Sequence, residues 1–174
     1  NISIMEFRSE KDYEVCLKIK DKHKLLSDLG FKLRREFDMT NDSNLFHSKQ
    51  EKMRSKEPWL QLYEGKMIHQ FNSSFSTSRY YIDEQEARRV LLRKVMHRIK
   101  SDNELSKEEF DNLIVPDDLL LDYQTFRLAY RAVGSSTNER TFISSIIPPN
   151  VFMGNSVHHF VNIEYSLKDN RVEY

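Results

Sequence analysis

One helical period, beginning at Asp83, sets what the rest of this chain can build around it. Asp83 is a good N-cap, because its carboxylate can accept a bond from an amide that the first turn leaves unpaired. Glu84 and Glu86 follow where the helix dipole favours acid. Leu92, Val95, Met96 and Ile99 then recur on one face, and Arg89, Arg93, His97 and Lys100 on another. The spacing predicts an amphipathic helix running to about Lys100, with an apolar face that needs a partner.

Elsewhere the period is two. Tyr13, Val15, Leu17 and Ile19 alternate with polar residues and predict a half-buried strand. Lys22 to Leu29 reads as a short helix stopped by Gly30, and Phe31, Leu33 and Phe37 as one side of a second strand. Thr40 to Asn44 is turn chemistry, with Asp38, Asn41 and Asp42 assigned mainly to loop structure. Residues 47–58 read as an exposed polar loop ending at Pro58, and residues 101–122 as an acidic connection with one short helix. Phe126–Val133 and Thr141–Ile147 predict a hairpin around the polar turn 134–139, closed by Pro148-Pro149, because proline cannot continue a ladder. The expected fold is α+β: a mixed sheet of short strands with two or three helices, as a single domain over residues 1–174.

Composition removes several functions. Lys and Arg together number 27, as do Asp and Glu, which argues mildly against avid, unaided nucleic-acid binding but leaves room for a local basic face. The single cysteine, Cys16, rules out an internal disulfide framework and suits a reducing cytoplasm. No apolar run approaches a membrane span. His69, His97 and the pair His158-His159 do not fall in a metal-binding pattern, so no metal is expected. Cys16 has no nearby catalytic partner, and no nucleophile elbow or Gly-rich phosphate loop exists.

What remains is anion-facing chemistry. Arg89, Arg93, His97 and Lys100 could track phosphates or form an ordinary solvated helix face. Arg127 and Arg131, four apart on a strand, project from one sheet face, opposite Phe126, Leu128, Tyr130 and Ala132. Arg140 can join them after the turn. Guanidiniums on one face need carboxylates, with Glu139 or another acid as the structural solution, or an anionic partner. The turn Ser135-Ser-Thr-Asn138 adds short donors and acceptors. In Leu62-Tyr-Glu-Gly-Lys-Met-Ile-His-Gln-Phe71, polar residues interrupt an apolar run in a way that neither a simple strand nor a simple helix explains.

Three stretches together resemble the target-recognition region of large adenine-N6-specific DNA methyltransferases, including type IIG restriction–modification enzymes and the methylases of phage-exclusion systems. They are Arg35-Glu-Phe-Asp-Met-Thr-Asn-Asp-Ser-Asn-Leu-Phe46, the segment 62–71 followed by Arg79-Tyr-Tyr81, and Arg127-Leu-Ala-Tyr-Arg-Ala-Val133 with Asn138 to Pro148. Their order and spacing match the family over residues 35–148. Asn72 stands where the family usually has Asp. The Asn-Pro-Pro-Tyr motif and the Gly-rich strand end of the catalytic domain are missing, and Pro148-Pro149-Asn150 has the wrong order.

The resemblance therefore implies a DNA-reading fragment without catalysis of its own. The parent enzyme would use S-adenosylmethionine, with or without a nuclease, and this fragment would hold no cofactor. A first residue, Asn1, that is not Met fits a fragment. The implied partners are double-stranded DNA and the methylase domain of the same parent, with no membrane, in the cytoplasm. The isolated fragment is expected to be a monomer or weak dimer. Arg127, Arg131, Arg140 and Asn138 are the expected DNA contacts, supported by Lys66, His69 and Gln70 and by Arg89 and Arg93, while Glu64 and Gly65 look structural. Gln is a suitable reader of adenine. Two rivals stand beside this. One is an interaction domain that docks on a methylase partner without touching DNA; the other is a small enzyme gathering His69, Glu64 and Asp38 in one pocket.

Overall fold

A computed structural model describes residues 7–24, 26–54, 56, 58–135, 137–140 and 142–174. Ser136 of the expected polar turn, Thr141 of the expected returning strand, Leu25 of the expected short helix, and Ser55 and Glu57 of the expected loop lie outside them. The chain divides into two compact units, Asn1–Lys32 and Leu33–Tyr174.

In the first unit, residues 13–19 are not a strand. They belong to helix α1 (Glu10–Lys22), capped by Ser9, whose hydroxyl accepts from the Asp12 amide at 3.2 Å. Acid in the first turn and lysine in the last suit the helix dipole. Tyr13 with Leu17, and Val15 with Ile19, stand four apart, so the alternating pattern also makes two helical stripes, and all four side chains are exposed. A lone strand would leave its amides and carbonyls unpaired, whereas a helix satisfies its own. The expected helix after Lys22 shrinks to a 3-10 turn, Leu26–Leu29, and Gly30 follows at φ 73°, the left-handed conformation that stops a helix.

The second unit is α+β, as the sequence predicts. Four strands form an antiparallel sheet: β1 (Leu33–Arg34), β5 (Arg127–Arg131), β6 (Ser144–Ile147) and β8 (Val157–Phe160), in the order β1-β8-β5-β6. A second, mixed sheet runs β2-β4-β3-β7, from β2 (His47–Ser48), β4 (Tyr80–Asp83), β3 (Trp59–Tyr63) and β7 (Val151–Met153), with β3 and β7 parallel. The expected loop at 47–58 thus contains β2 and a helix, α2 (Lys49–Arg54), because the Ser48 amide and Glu51 carboxylate cap one another's segment. The expected strand through 31–37 is only β1, followed by a bridge from Phe37 to Gly154. The short helix of the 101–122 connection is α4 (Lys107–Asp111). A small hairpin, β9 (Ser166–Lys168) and β10 (Arg171–Glu173), turns through Asp169 and Asn170, both at positive φ.

Helix α3 (Glu84–Asp102) carries the first core. The Asp83 carboxylate accepts from the Glu86 amide at 2.9 Å, and Ala87, Leu91, Val95 and Ile99 are the buried stripe. Leu92 and Met96 flank it, half-buried. This stripe packs with Leu62, Ile82 and Phe152 of the mixed sheet. A second core, with Tyr63, Met67, Ile68 and Met153, meets Ala129, Ile147 and Val157 of the antiparallel sheet. The mixed sheet is therefore the middle layer, with α3 on one face and the antiparallel sheet on the other.

An ion pair is buried between the sheets. Arg127, only 1% exposed, donates to Glu36 and to the Val151 carbonyl at 2.7 Å. The other Glu36 oxygen accepts from the Met153 amide at 2.8 Å. Removing one member leaves the other charge buried and alone, which costs roughly 3–5 kcal/mol. Glu36→Ala is therefore expected to lower the unfolding free energy in urea by about that amount, while replacing both residues by apolar ones (Glu36→Leu with Arg127→Met) recovers most of it. A Glu36→Ala loss below about 1 kcal/mol is incompatible with a structural pair.

Candidate nucleic-acid interface

The segment 62–71 is a strand end followed by a tight turn. Leu62 and Tyr63 finish β3, and Gly65–Met67 form a 3-10 turn. The Gly65 amide donates to the Ser156 hydroxyl at 2.9 Å, and a Cβ there would stand 3.2 Å from the Ser156 carbonyl oxygen, so only glycine fits without a shift. Glu64 is buried and is gripped by Arg79 through both carboxylate oxygens, with Lys66 at 3.5 Å. Burial pushes the Glu64 carboxyl up, but Arg79 and Lys66 outweigh it and hold it below the usual range. Glu64 and Gly65 are scaffold.

The stretches 35–46, 62–71 and 127–148 meet one another. Glu36 binds Arg127, Arg131 Nε donates to the Ile68 carbonyl at 2.8 Å, and Gln70 Oε1 accepts from the Ser144 amide at 3.2 Å. Their polar side chains are spent largely on holding the two sheets and the 62–71 turn together. Arg127 is corrected from an exposed contact to a buried structural residue: it shares its sheet face with Ala129, and that face is the covered one. Arg131 is half-buried against Ile68, and Gln70 is half-buried against β6. Asp38 accepts from the amides of Thr40 and Asn41, each at 2.9 Å, and these bonds hold its carboxyl below the usual range. It is loop structure, as expected.

Lys66 and His69 remain exposed, with the His69 ring 4.7 Å from that of Phe75. Phe75 in turn lines an open cleft of about 440 Å³ on the face of the mixed sheet away from α3. Lys49, Gln61, Tyr63 and Tyr81 form one wall of the cleft, and the loop Ser74–Ser78 the other. Arg79, about half exposed, follows Ser78 of the cleft loop and shares Glu64 with Lys66, and Lys52 lies 4.3 Å over the Tyr81 ring. Cations, hydroxyls and aromatic edges here suit a phosphate backbone. Sequence reasoning did not offer Lys49, Arg79 or the serine loop as contacts, although Arg79-Tyr-Tyr81 closes the second of the three stretches. Their only signal was the hydroxyl-rich run from Ser73 to Ser78 and its neighbour Arg79-Tyr-Tyr81.

The remaining candidates do not join that cleft. Arg89 and Arg93 are exposed on α3, across the mixed sheet from it. Arg140 is exposed and Asn138 half-buried in the connection between β5 and β6. Nor do His69, Glu64 and Asp38 meet: Asp38 lines a different cleft with Asn155 and Lys94, and Glu64 is committed to Arg79. Among the described residues no group of His, Cys, Asp and Glu could hold a metal ion, and no helix is long and apolar enough to cross a membrane. No family model matches the chain, and no curated protein matches it.

One titration is built into this frame. Burial is the largest influence on His159 and pushes its imidazole below the ordinary value, while Glu36 at 3.7 Å pulls the other way. Glu36 is already neutralised by Arg127, whose charge also opposes protonation, so the folded state holds His159 neutral. The unfolded chain takes up that proton near pH 6.5. Stability is therefore whole above about pH 6.5 and falls below it, by at most about 1.4 kcal/mol per pH unit from this group. Urea unfolding at pH 7.5, 6.5 and 5.5 should show a steeper loss for the native chain than for His159→Gln. Equal slopes exclude His159 as the source.

Proposed function

We propose that residues 33–174 are a duplex-DNA recognition module of an adenine-specific methyltransferase, with the cleft beside segment 62–71 as the surface that grips the phosphate backbone. The observation that carries this is the cleft itself: Lys49 lines it with Tyr63 of segment 62–71 and with exposed serine and threonine hydroxyls, and Lys66 and Arg79, paired with Glu64, follow its Tyr63 and Ser78 walls in sequence. The interlocked motif stretches support it too, since a reading domain needs a rigid frame beneath its contact loops. Catalysis and S-adenosylmethionine binding belong, in this reading, to another part of the parent enzyme, which would extrude the target adenine.

The separation of Arg89 and Arg93 from the cleft favours a second reading, an interaction domain that docks on a methylase partner without DNA contact. Fluorescence anisotropy with a mixed-sequence duplex separates the two. DNA recognition predicts weak, salt-sensitive binding. Lys49→Ala with Lys66→Ala should lower the affinity and reduce the salt slope by about two, one per lost phosphate contact. Arg89→Ala with Arg93→Ala should leave both unchanged. Absence of duplex binding at about 50 mM salt, where phosphate contacts are strong, supports the docking domain instead.

A further inference from the structure

Gln61 stands on β3, an inner strand of the mixed sheet that is paired on both sides. Its neighbours Leu60 and Leu62 pack toward α3, so Gln61 points to the opposite face with Trp59 and Tyr63. A row crosses the sheet there in register, His47–Tyr81–Gln61–Val151. Tyr81 and Val151 are buried, yet Gln61 between them is exposed and lines the open cleft. Its amide has no hydrogen-bond partner among the described residues.

Two other glutamines show what a structural role demands in this fold. Gln70 Oε1 accepts from the Ser144 amide at 3.2 Å. Gln124 Oε1 accepts from the Leu121 amide at 2.9 Å and from Arg88 at 3.1 Å. Gln61 holds nothing in place. The glutamine that the sequence offered as an adenine reader, Gln70, is thus spent on β6, whereas Gln61 keeps a donor and an acceptor free side by side. The cleft around it is mostly neutral. Among the described residues that line it, Lys49 alone is charged, and Ser74, Ser76, Thr77 and Ser78 supply hydroxyls. Phosphates select cations, whereas base edges select neutral donors and acceptors.

We infer that Gln61 is the base-reading residue of the cleft, its amide paired with the edge of an adenine while Lys49 holds a neighbouring phosphate. In the major groove adenine presents the N7 acceptor beside the N6 amino donor, and one carboxamide matches both. Guanine presents two acceptors there, and thymine and cytosine one polar group each, so all three leave half of the amide unmatched. Strands are established readers of DNA grooves, and an inner strand holds such a reader still. The inference rests on the duplex reading proposed above and adds which residue carries sequence.

The test is selection by the full chain from a pool of duplexes randomised over one helical turn, at low salt, with sequencing of the bound fraction. The native chain should enrich a sequence with one fixed adenine. Gln61→Ala should relax the preference at that position by about 5- to 150-fold, the range for losing one bidentate base contact, and leave the other positions unchanged. Gln61→Glu, nearly the same in shape, should turn that position toward cytosine, whose amino group donates to a carboxylate. A merely solvated glutamine would move neither. Duplex binding without an enriched sequence, or an enriched sequence that both variants keep, overturns Gln61 as the reader and leaves the phosphate grip of the cleft standing. Failure of both variants to fold marks Gln61 as structural and overturns the reader as well. Absence of duplex binding by the native chain overturns the reader and the grip together.

Discussion

Arg127 is the residue about which the second unit is organised. Its guanidinium, enclosed between two sheets, joins the antiparallel sheet through β5 to Glu36 and to the β7 carbonyl of Val151. Glu36 returns the connection to β7 through the Met153 amide. Both charges lose their water on folding, so the arrangement holds only because nearly every hydrogen-bonding site is met within the protein; the Arg127 Nε is the exception among buried side-chain atoms of the described residues. Such a pair adds little net stability over well-packed apolar residues, but removing one partner strands the other charge in the interior.

That constraint explains which surfaces are free. Burying the arginine face of β5 turns Phe126, Leu128 and Tyr130 outward and leaves a four-stranded sheet with an open aromatic side. The same docking draws Ile68 and Gln70 onto the hairpin, through Arg131 and the Ser144 amide. Segment 62–71 then presents Lys66 and His69 outward, beside the serine loop. The cleft and the open side of the sheet are consequences of one choice of face.

Much of the fold was legible. The helix begins at Asp83 as its cap chemistry requires, the β5–β6 hairpin and its proline stop follow the alternation, and the Asp38 turn bonds its own backbone. The errors have physical causes. Residues 13–19 alternate, yet in the absence of a partner strand the helix satisfies their backbone. Residues 47–58 are polar enough for a loop, but reciprocal capping by Ser48 and Glu51 supports a helix. The partner of Arg127 lies 91 positions away, where no local pattern could reveal it.

The sequence by itself determined the local features: the cap at Asp83, the alternation of the β5–β6 hairpin with its proline stop, and the Asp38 turn. Those properties depend on neighbours within a few residues, through capping, turn chemistry and side-chain period. Only the tertiary structure decided which face of β5 lies inside. Alternation shows that two faces differ, but whether the arginine face or the apolar face is buried depends on a distant carboxylate able to neutralise the charge, and Glu36 supplies it.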